Sequence, residues 1–531
     1  MRLIGLFLLA VLVATSLDAA SYQQTDGNII DPIQSVYGGD QTYTGYNLEP
    51  YAYLTGASLS GADLEKADLY QADLSYADLS YADLVNSDLS DTDLTAVNFD
   101  NAHLTDASLE FAYTAREDVP PFSARSCVAR RINAYRLDAI SADLTSAELI
   151  EASLREANLT NATLVNSDLS DADLTGTNLQ LANLTGAALP NAYMVNADLT
   201  DANLTGADLT GAVATGATLT RATLYQSILS LFSGSYANYF NVDATEADLS
   251  FSNLTRATLT GAILTGANLA AATLSGADMT DADLSGANLT GATLSTTNPW
   301  YMTSMFAANL NGIVAHDVVA RDVDMETVTA KEGVFIDADM TNAYMVNSDF
   351  SWADLTGANL TGANMSQAIF RGAAMSGVTC MGATMEGSDA TNADLVRADM
   401  TAAWLTGADL TGADLFDANL TSADLEGAIL ASTNLTNAWL SGADMTGANL
   451  SGADLYQANL SGATFTDIEY WTSANWAGAY YYTDNTPVWA SGMDPVVLGI
   501  LALSPSTAVP EPAAILLALL GLALLPRRRR R

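Results

Sequence analysis

The sequence has 531 residues, with 61 acidic residues against 19 Lys and Arg and a formal net charge of −42 at pH 7. The acidic residues are spread along the whole length rather than gathered into a tail. This balance argues against direct contact with nucleic acid phosphates or anionic lipid, since both would be repelled. Because the chain contains only two Cys residues, it is not a disulfide scaffold.

The first twenty residues have the layout of a secretory signal peptide. Arg2 precedes an apolar run over residues 3–13, and small residues follow at Ala19 and Ala20. We therefore expect cleavage near Ala20 and export of the mature chain. Residues 21–51 are expected to form a lead-in or cap to the segment that follows.

From Tyr53 onward the chain repeats the five-residue pattern A-(D/N)-L-(S/T)-x, as in residues 62–66. A period of five matches neither the 3.6 of a helix nor the 2 of a strand, so the chain must turn at every repeat. We expect the Leu and the preceding Ala to point inward and the Asp or Asn between them to point outward. Coils of this kind stack about 4.8 Å apart, which lets their backbone groups pair.

This repeat closely resembles that of the pentapeptide-repeat proteins, over most of residues 53–465. The resemblance implies an all-β fold, a right-handed, four-sided parallel β-helix with four repeats per coil. Residues twenty apart would then lie directly above one another. The repeats are predicted over residues 52–109, 144–294 and 340–469, with a one-residue slip of register near 298–300.

Three stretches interrupt the Leu pattern, at residues 110–143, 226–244 and 295–339. The first is predicted to be an insertion with a short helix over residues 126–137. Non-repetitive insertions on a solenoid are frequent sites of partner contact. The alternative, which we favour for the basic side chains of the first stretch, is docking onto the protein's own acidic wall. These side chains are Arg116, Arg125, Arg130, Arg131 and Arg136.

Residues 470–490 are crowded with aromatic side chains. An open solenoid end exposes core and unpaired strand edges, so we expect these residues to form a C-terminal cap rather than a sugar-stacking platform. Residues 491–508 are interpreted as a linker. The aromatic residues are Tyr470, Trp471, Trp476, Tyr480, Tyr481, Tyr482 and Trp489.

The last segment, residues 509–531, joins a Pro-Glu-Pro motif to an apolar stretch at 513–525 and a run of Arg. As a helix the apolar stretch is ~20 Å long, short of the roughly 30 Å core of a bilayer. These features resemble the PEP-CTERM sorting signal, which implies transient insertion of 513–525 in the inner membrane and cleavage by an exosortase. The alternative is an ordinary single-span anchor. The signal residues are Val509, Pro510, Glu511, Pro512, Arg527, Arg528, Arg529, Arg530 and Arg531.

No catalytic motif is recognisable in the sequence. His103 and His316 are far apart and at outward positions, and neither is paired with a nucleophile. Cys380 falls on the central inward position, where we expect a small buried hydrophobe. The sequence therefore predicts a non-enzymatic protein without a catalytic site, a resident cofactor or a firm metal site.

The four-repeat coil places three pairs of Asp residues directly above one another. Like charges about 4.8 Å apart at an effective dielectric near 20 repel by roughly 3 kcal/mol, which loosely bound Ca²⁺ of millimolar affinity would relieve. The alternative, which we favour, is a solvated acidic face that keeps the protein soluble. The pairs are Asp63 with Asp83, Asp68 with Asp88, and Asp73 with Asp93.

Three classes of function remain open from the sequence. The first is an exported structural or interaction rod, sorted by an exosortase and the secretion machinery, and displayed on the envelope or released among extracellular polysaccharides. The second is an acidic DNA mimic that binds a type II topoisomerase, although a signal peptide sends the chain away from that target. The third is a polysaccharide-active β-helix enzyme, for which the short regular loops leave no groove.

Overall fold

A computed structural model describes residues 21–26, 28–30, 34–35, 47–114, 121–296 and 301–504. The chain divides into two compact units, residues 1–329 and 330–531. The predicted signal peptide and sorting signal, residues 1–20 and 509–531, lie outside the described residues.

Both units are built from five-residue turns that stack on the turns twenty residues away. In unit 1 Asp63 pairs in parallel with Asp83, and in unit 2 Asp394 pairs in the same way with Asp414. The central Leu of each turn, such as Leu64, and the Ala two positions before it are fully buried, whereas the residue between them faces outward. The inward and outward positions predicted from the five-residue period are therefore confirmed.

One turn, residues 83–87, shows how the backbone is satisfied. The N–H groups of Asp83, Leu84 and Asn86 donate to carbonyl oxygens of neighbouring coils at 2.9, 2.8 and 3.0 Å. The N–H of Ser87 closes the corner on the Leu84 carbonyl at 3.0 Å. The remaining N–H, from Val85, donates to the carboxylate of Asp83 at 3.1 Å. Every N–H of the turn thus has an acceptor, as buried backbone requires.

The last residue of the pattern A-(D/N)-L-(S/T)-x adopts a left-handed backbone conformation, with φ of 57° at Asn86 and 69° at Gly211. Asn and Gly tolerate this conformation best, which explains their frequency at the corner. A Cβ at Gly211 would also lie 2.8 Å from the Asn191 side-chain oxygen of the neighbouring coil, so that side chain would have to shift.

The predicted insertion at residues 110–143 is wrong for the part that the structure describes. Residues 121–143 continue the turns of the β-helix, and no helix forms over 126–137. The ladder spacing rises from twenty to twenty-five at three successive pairs, so the extra chain amounts to one repeat; these pairs are Asn98–Ser123, His103–Val128 and Ser108–Asn133. The Leu pattern is lost because large and small residues exchange places, with Phe122 buried two positions before a buried Ala124.

The coil in which large and small residues exchange places, residues 121–143, borders an apolar cavity of about 30 Å³ inside unit 1. Its lining includes Cys127, Ala129, Ile132 and Ala134, so Ala stands at central positions where other coils carry Leu. The same coil has its corner hydrogen bonds from Cys127 and Ile132 lengthened to 3.4 Å.

The irregular stretches at 226–244 and 295–339 also continue the ladder where they are described. Phe232 and Tyr239 point into the core in the first of them. The predicted slip of register is present, because Asp278 pairs with Ser304, twenty-six residues away. Beside the slip, the Thr303 hydroxyl donates a hydrogen bond to the carbonyl of Leu294.

Regular strands occur at the ends of the two units. In unit 1 the strands β1 (Tyr22–Gln23) and β2 (Ile29–Ile30) pair antiparallel, as do β3 (Gln34–Ser35) and β4 (Ala62–Asp63). In unit 2 a 3-10 helix at Trp471–Ser473 precedes β5 (Tyr480–Tyr482), which pairs in parallel with β6 (Leu501–Leu503).

The predicted linker at 491–508 is wrong over its described part. Met493 and Ile500 are buried, and the N–H of Leu501 donates to the Ala479 carbonyl at 2.7 Å. Met493 and Ile500 are thus removed from water, whereas Val496 and Val497 stay exposed, so this segment is packed in part rather than free as a linker.

Candidate functional site

The outward Asp and Asn residues have a structural role that the sequence analysis missed. In the turn at 208–210 the Asp208 Oδ1 accepts the N–H and the hydroxyl of Thr210, at 2.9 and 2.6 Å. Asn203 receives the same two bonds from Thr205, at 3.0 and 2.7 Å. The signal was present in the repeat itself, since Ser or Thr commonly follows two residues after the Asp or Asn and such pairs form local turns.

The six Asp residues proposed as weak Ca²⁺ ligands lie in vertical pairs, as the register requires. Each carboxylate already accepts a backbone N–H from two residues ahead, as Asp68 does from Tyr70 at 3.3 Å and Asp88 from Ser90 at 2.9 Å. Among the residues that the structure describes, no group of three or more His, Cys, Asp or Glu is arranged to hold a metal ion. The pairs are Asp63–Asp83, Asp68–Asp88 and Asp73–Asp93.

Asp73 is held as a carboxylate. Burial alone would raise its pKa, but the hydroxyl and N–H of Ser75 and the hydroxyl of Thr55 donate to it and lower the pKa below its usual value. A lowered pKa argues against sharing a proton with Asp93 above it.

Where Asn stands above Asp, it relieves the charge directly. The Asn434 amide donates to the Asp414 carboxylate at 2.8 Å, and the Asn158 amide donates to Asp138 at 3.2 Å. The alternation of Asp and Asn in the later coils therefore replaces a repulsive contact by a hydrogen bond.

The Arg side chains of the coil at 121–143 bind to neighbouring coils. Arg131 forms a two-pronged contact with Asp106 at 2.8 and 2.7 Å, and Arg130 contacts Glu148 at 2.7 Å. Arg136 contacts Glu156 at 2.7 Å. These pairs are half exposed, so each contributes little to stability. They nevertheless neutralise the basic stretch, as the interpretation of docking onto the acidic wall predicted, while Arg116 lies outside the described residues.

The C-terminal aromatic segment contacts the interior of the last coils. Phe465 is fully buried, with Trp489 stacked on its ring at 5.4 Å and Trp476 edge-on at 5.7 Å. Trp476 is itself only 2% exposed, whereas Tyr470 is 62% exposed. These are the contacts that a cap would make.

The remaining residues with reactive side chains are dispersed. His103 lies outward, with Nδ1 3.8 Å from the Asp83 carboxylate. Cys127 and Cys380 are free thiols buried in the core, and burial raises the pKa of each to about 12. A thiol with so high a pKa is a poor nucleophile. No helix within the described ranges is long and apolar enough to span a bilayer.

The stacked five-residue turns define a parallel β-helical solenoid. The chain belongs to the pentapeptide-repeat family, since the model described as Pentapeptide repeats (8 copies) matches more than half of it. Members of this family form right-handed quadrilateral β-helices, so that part of the predicted fold class is confirmed, whereas the C-terminal cap stays a prediction. The matched residues are 52–91, 82–113, 140–176, 177–213, 192–230, 262–298, 334–372, 393–430 and 428–467.

Two solved structures illustrate the family likeness. HetL, a pentapeptide repeat protein involved in heterocyst differentiation regulation from the cyanobacterium Nostoc sp. strain PCC 7120, is 25% identical over 60% of this chain and 89% of its own, with a TM-score of 0.12. QnrB1, a plasmid-mediated fluoroquinolone resistance protein, is 16% identical over 52% of this chain and 97% of its own, with a TM-score of 0.20. No curated protein matches the chain.

Proposed function

We propose that this protein is an exported, non-enzymatic scaffold that displays a fixed surface on the cell envelope or in the surrounding matrix. The observation that supports it is the use of the outward polar side chains. Asp and Asn such as Asp208 accept hydrogen bonds within their own turn, and the Arg residues near 130 pair with acidic neighbours. Side chains engaged in this way shape the turns and neutralise charge, and are not free for catalysis.

Export rests on the two terminal signals of the sequence, residues 1–20 and 509–531. Envelope fractionation of the producing cell, followed by intact-mass measurement, tests it. We expect a surface or released protein that lacks the segment through about Ala20 and ends near Pro510 to Pro512. A matched variant with Pro510→Ala and Pro512→Ala should accumulate uncut in the inner membrane. A surface protein that keeps Arg527 to Arg531 would instead indicate a plain anchor.

The columns of Asp favour a second candidate, imitation of DNA in the binding site of a type II topoisomerase. Stacked carboxylates such as Asp63 and Asp83 carry the required sign of charge. The predicted signal peptide separates the protein from that target. We therefore expect the purified protein to leave DNA supercoiling uninhibited at micromolar concentration, and clear inhibition would favour this second function.

A further inference from the structure

The first coils of unit 1 carry a concentration of exposed aromatic rings on one face. Tyr53, Asp73, Asp93 and Tyr113 form a single outward column, each pairing with the next in parallel. The exposed fraction is 76% for Tyr53 and 42% for Tyr113. We call the surface formed by residues 51, 53, 73, 93, 111 and 113 the tyrosine strip.

Two further rings border this column at the adjacent corner. Tyr51 is 63% exposed and Phe111 is 41% exposed. Tyr51 is steadied by an edge contact to Tyr70, with ring centroids 5.9 Å apart. Phe111 has the guanidinium of Arg136 5.9 Å from its centroid, and that guanidinium is already paired with Glu156. The aromatic rings therefore flank the carboxylates of Asp73 and Asp93 and do not form one continuous apolar patch.

A cleft opens at one end of the tyrosine strip. Its volume is about 430 Å³, and its lining includes Glu49, Pro50, Tyr51 and Tyr53. This volume lies within the range of small-molecule sites, and it combines aromatic walls with one carboxylate. Asp73 stays ionised because the donors from Ser75 and Thr55 outweigh its partial burial. A cationic partner is favoured by both features, since carboxylates attract it and aromatic faces add cation–π attraction.

The spacing along the column argues against an extended basic peptide. Neighbouring coils are about 4.8 Å apart, whereas side chains on one side of an extended peptide recur every 6.8 Å or so. A 1→4-linked amino-sugar chain presents flat ring faces and carries its amino groups at the ring edges. Its flat faces also suit exposed tyrosine rings.

We propose that the tyrosine strip binds a linear amino-sugar polysaccharide with free, protonated amino groups, lying along the column with sugar rings on Tyr53 and Tyr113 and an ammonium group of the intervening sugars close to the paired carboxylates of Asp73 and Asp93. That the protein encounters such a polymer outside the cell rests on the proposed export. The binding itself depends only on residues 47–113.

Titration calorimetry with the full chain, at mildly acidic pH and low salt, tests the inference. The probe is the hexamer of β-1,4-linked glucosamine, compared with the hexamer of N-acetylglucosamine and with hexalysine. We expect the glucosamine hexamer to bind about tenfold more tightly than either comparison ligand, because only it combines rings and charge. Equal binding of hexalysine would mean that a basic peptide or plain charge attraction is sufficient, and would overturn the proposal.

Variants then locate the site. Tyr53→Ala and Asp93→Asn should each weaken binding about fivefold or more. The Asn side chain in the second variant can still accept the N–H of Thr95, so the turn is kept. The matched control is Tyr193→Ala, because Tyr193 is 53% exposed and also stands above an Asp in its column, Asp173. Equal weakening by the control, or none by the strip variants, would overturn the assignment. Loss of binding with normal sorting contradicts this inference alone, whereas binding by a protein that is not exported contradicts the proposed function alone.

Discussion

The hydroxyl of Tyr239 occupies the space that a side chain on Gly234 would need. Both residues stand at central inward positions, where most coils carry Leu. Tyr239 is only 2% exposed, and its hydroxyl has no hydrogen-bond partner among the described residues. Burial raises the pKa of this phenol. The core of this coil thus contains one large ring opposite a Gly, at the cost of a desolvated hydroxyl.

Tyr239→Phe should stabilise the protein. It removes the unpaired hydroxyl while keeping the ring, and we expect a gain of about 1 kcal/mol, seen as a higher thermal midpoint. Gly234→Ala is the opposing variant, because its new Cβ would meet the Tyr239 ring and should cost roughly 1–3 kcal/mol. A lower midpoint for Tyr239→Phe would show that the hydroxyl is satisfied by water.

The five-residue period was sufficient to predict the inward and outward positions, whereas the vertical pairing of Asp63 with Asp83 was predicted from the resemblance to a family with four repeats per coil. The period missed the coil at 121–143, because Phe122 and Ala124 exchange the positions of the large and the small core residue and so remove Leu from the central position. The turn role of Asp208 could have been predicted from the Thr two residues later, whereas the pairing of Arg131 with Asp106 depends on side-chain directions that a linear pattern does not encode. The tyrosine strip could have been found, since residues 53 and 113 are separated by a multiple of twenty.

Asp208 and Leu209 have different structural roles within one turn, since Asp208 accepts hydrogen bonds and Leu209 fills the core. Asp208→Asn keeps the acceptor for Thr210, so we expect a change within about 0.5 kcal/mol, whereas Asp208→Ala loses it and should cost roughly 1 kcal/mol. Leu209 is fully buried, and Leu209→Asp should cost more than about 4 kcal/mol or prevent folding. Denaturant titration measures all three, with Leu209→Met as the mild control. Equal losses for Asp208→Asn and Asp208→Ala would contradict the acceptor role.

Asp138 and Asp143 should respond to pH in opposite directions. Burial raises the pKa of Asp138 despite hydrogen bonds from Ile140 and Asn158, so its folded state favours the proton and its contribution to stability falls as pH rises. Burial would also raise the pKa of Asp143, but donors from Thr145 and Arg125 prevail and lower it. The stability from Asp143 is therefore present above the unfolded pKa of about 3.9 and is lost as pH falls through the folded value.

The measurement for this pair is the thermal midpoint of each Asn variant between acidic and neutral pH. Asp138→Asn should exceed the wild type at neutral pH, with the advantage vanishing in acid. Asp143→Asn should fall below the wild type at neutral pH and converge with it in acid. Parallel curves for the two variants would contradict the assigned pKa directions.

The stacked carboxylates of Asp68 and Asp88 should behave as a solvated face rather than a specific cation site. Each accepts an N–H from its own turn, which offsets part of the repulsion, and no third ligand is arranged beside them among the described residues. We expect millimolar Ca²⁺, at constant ionic strength, to shift the thermal midpoint of the wild type and of the double variant Asp68→Asn with Asp88→Asn equally. The double variant should itself be slightly more stable at low salt, because the repulsion between the two carboxylates is removed, and this advantage should shrink as salt screens the wild type. A Ca²⁺ shift confined to the wild type would instead establish the pair as a cation site.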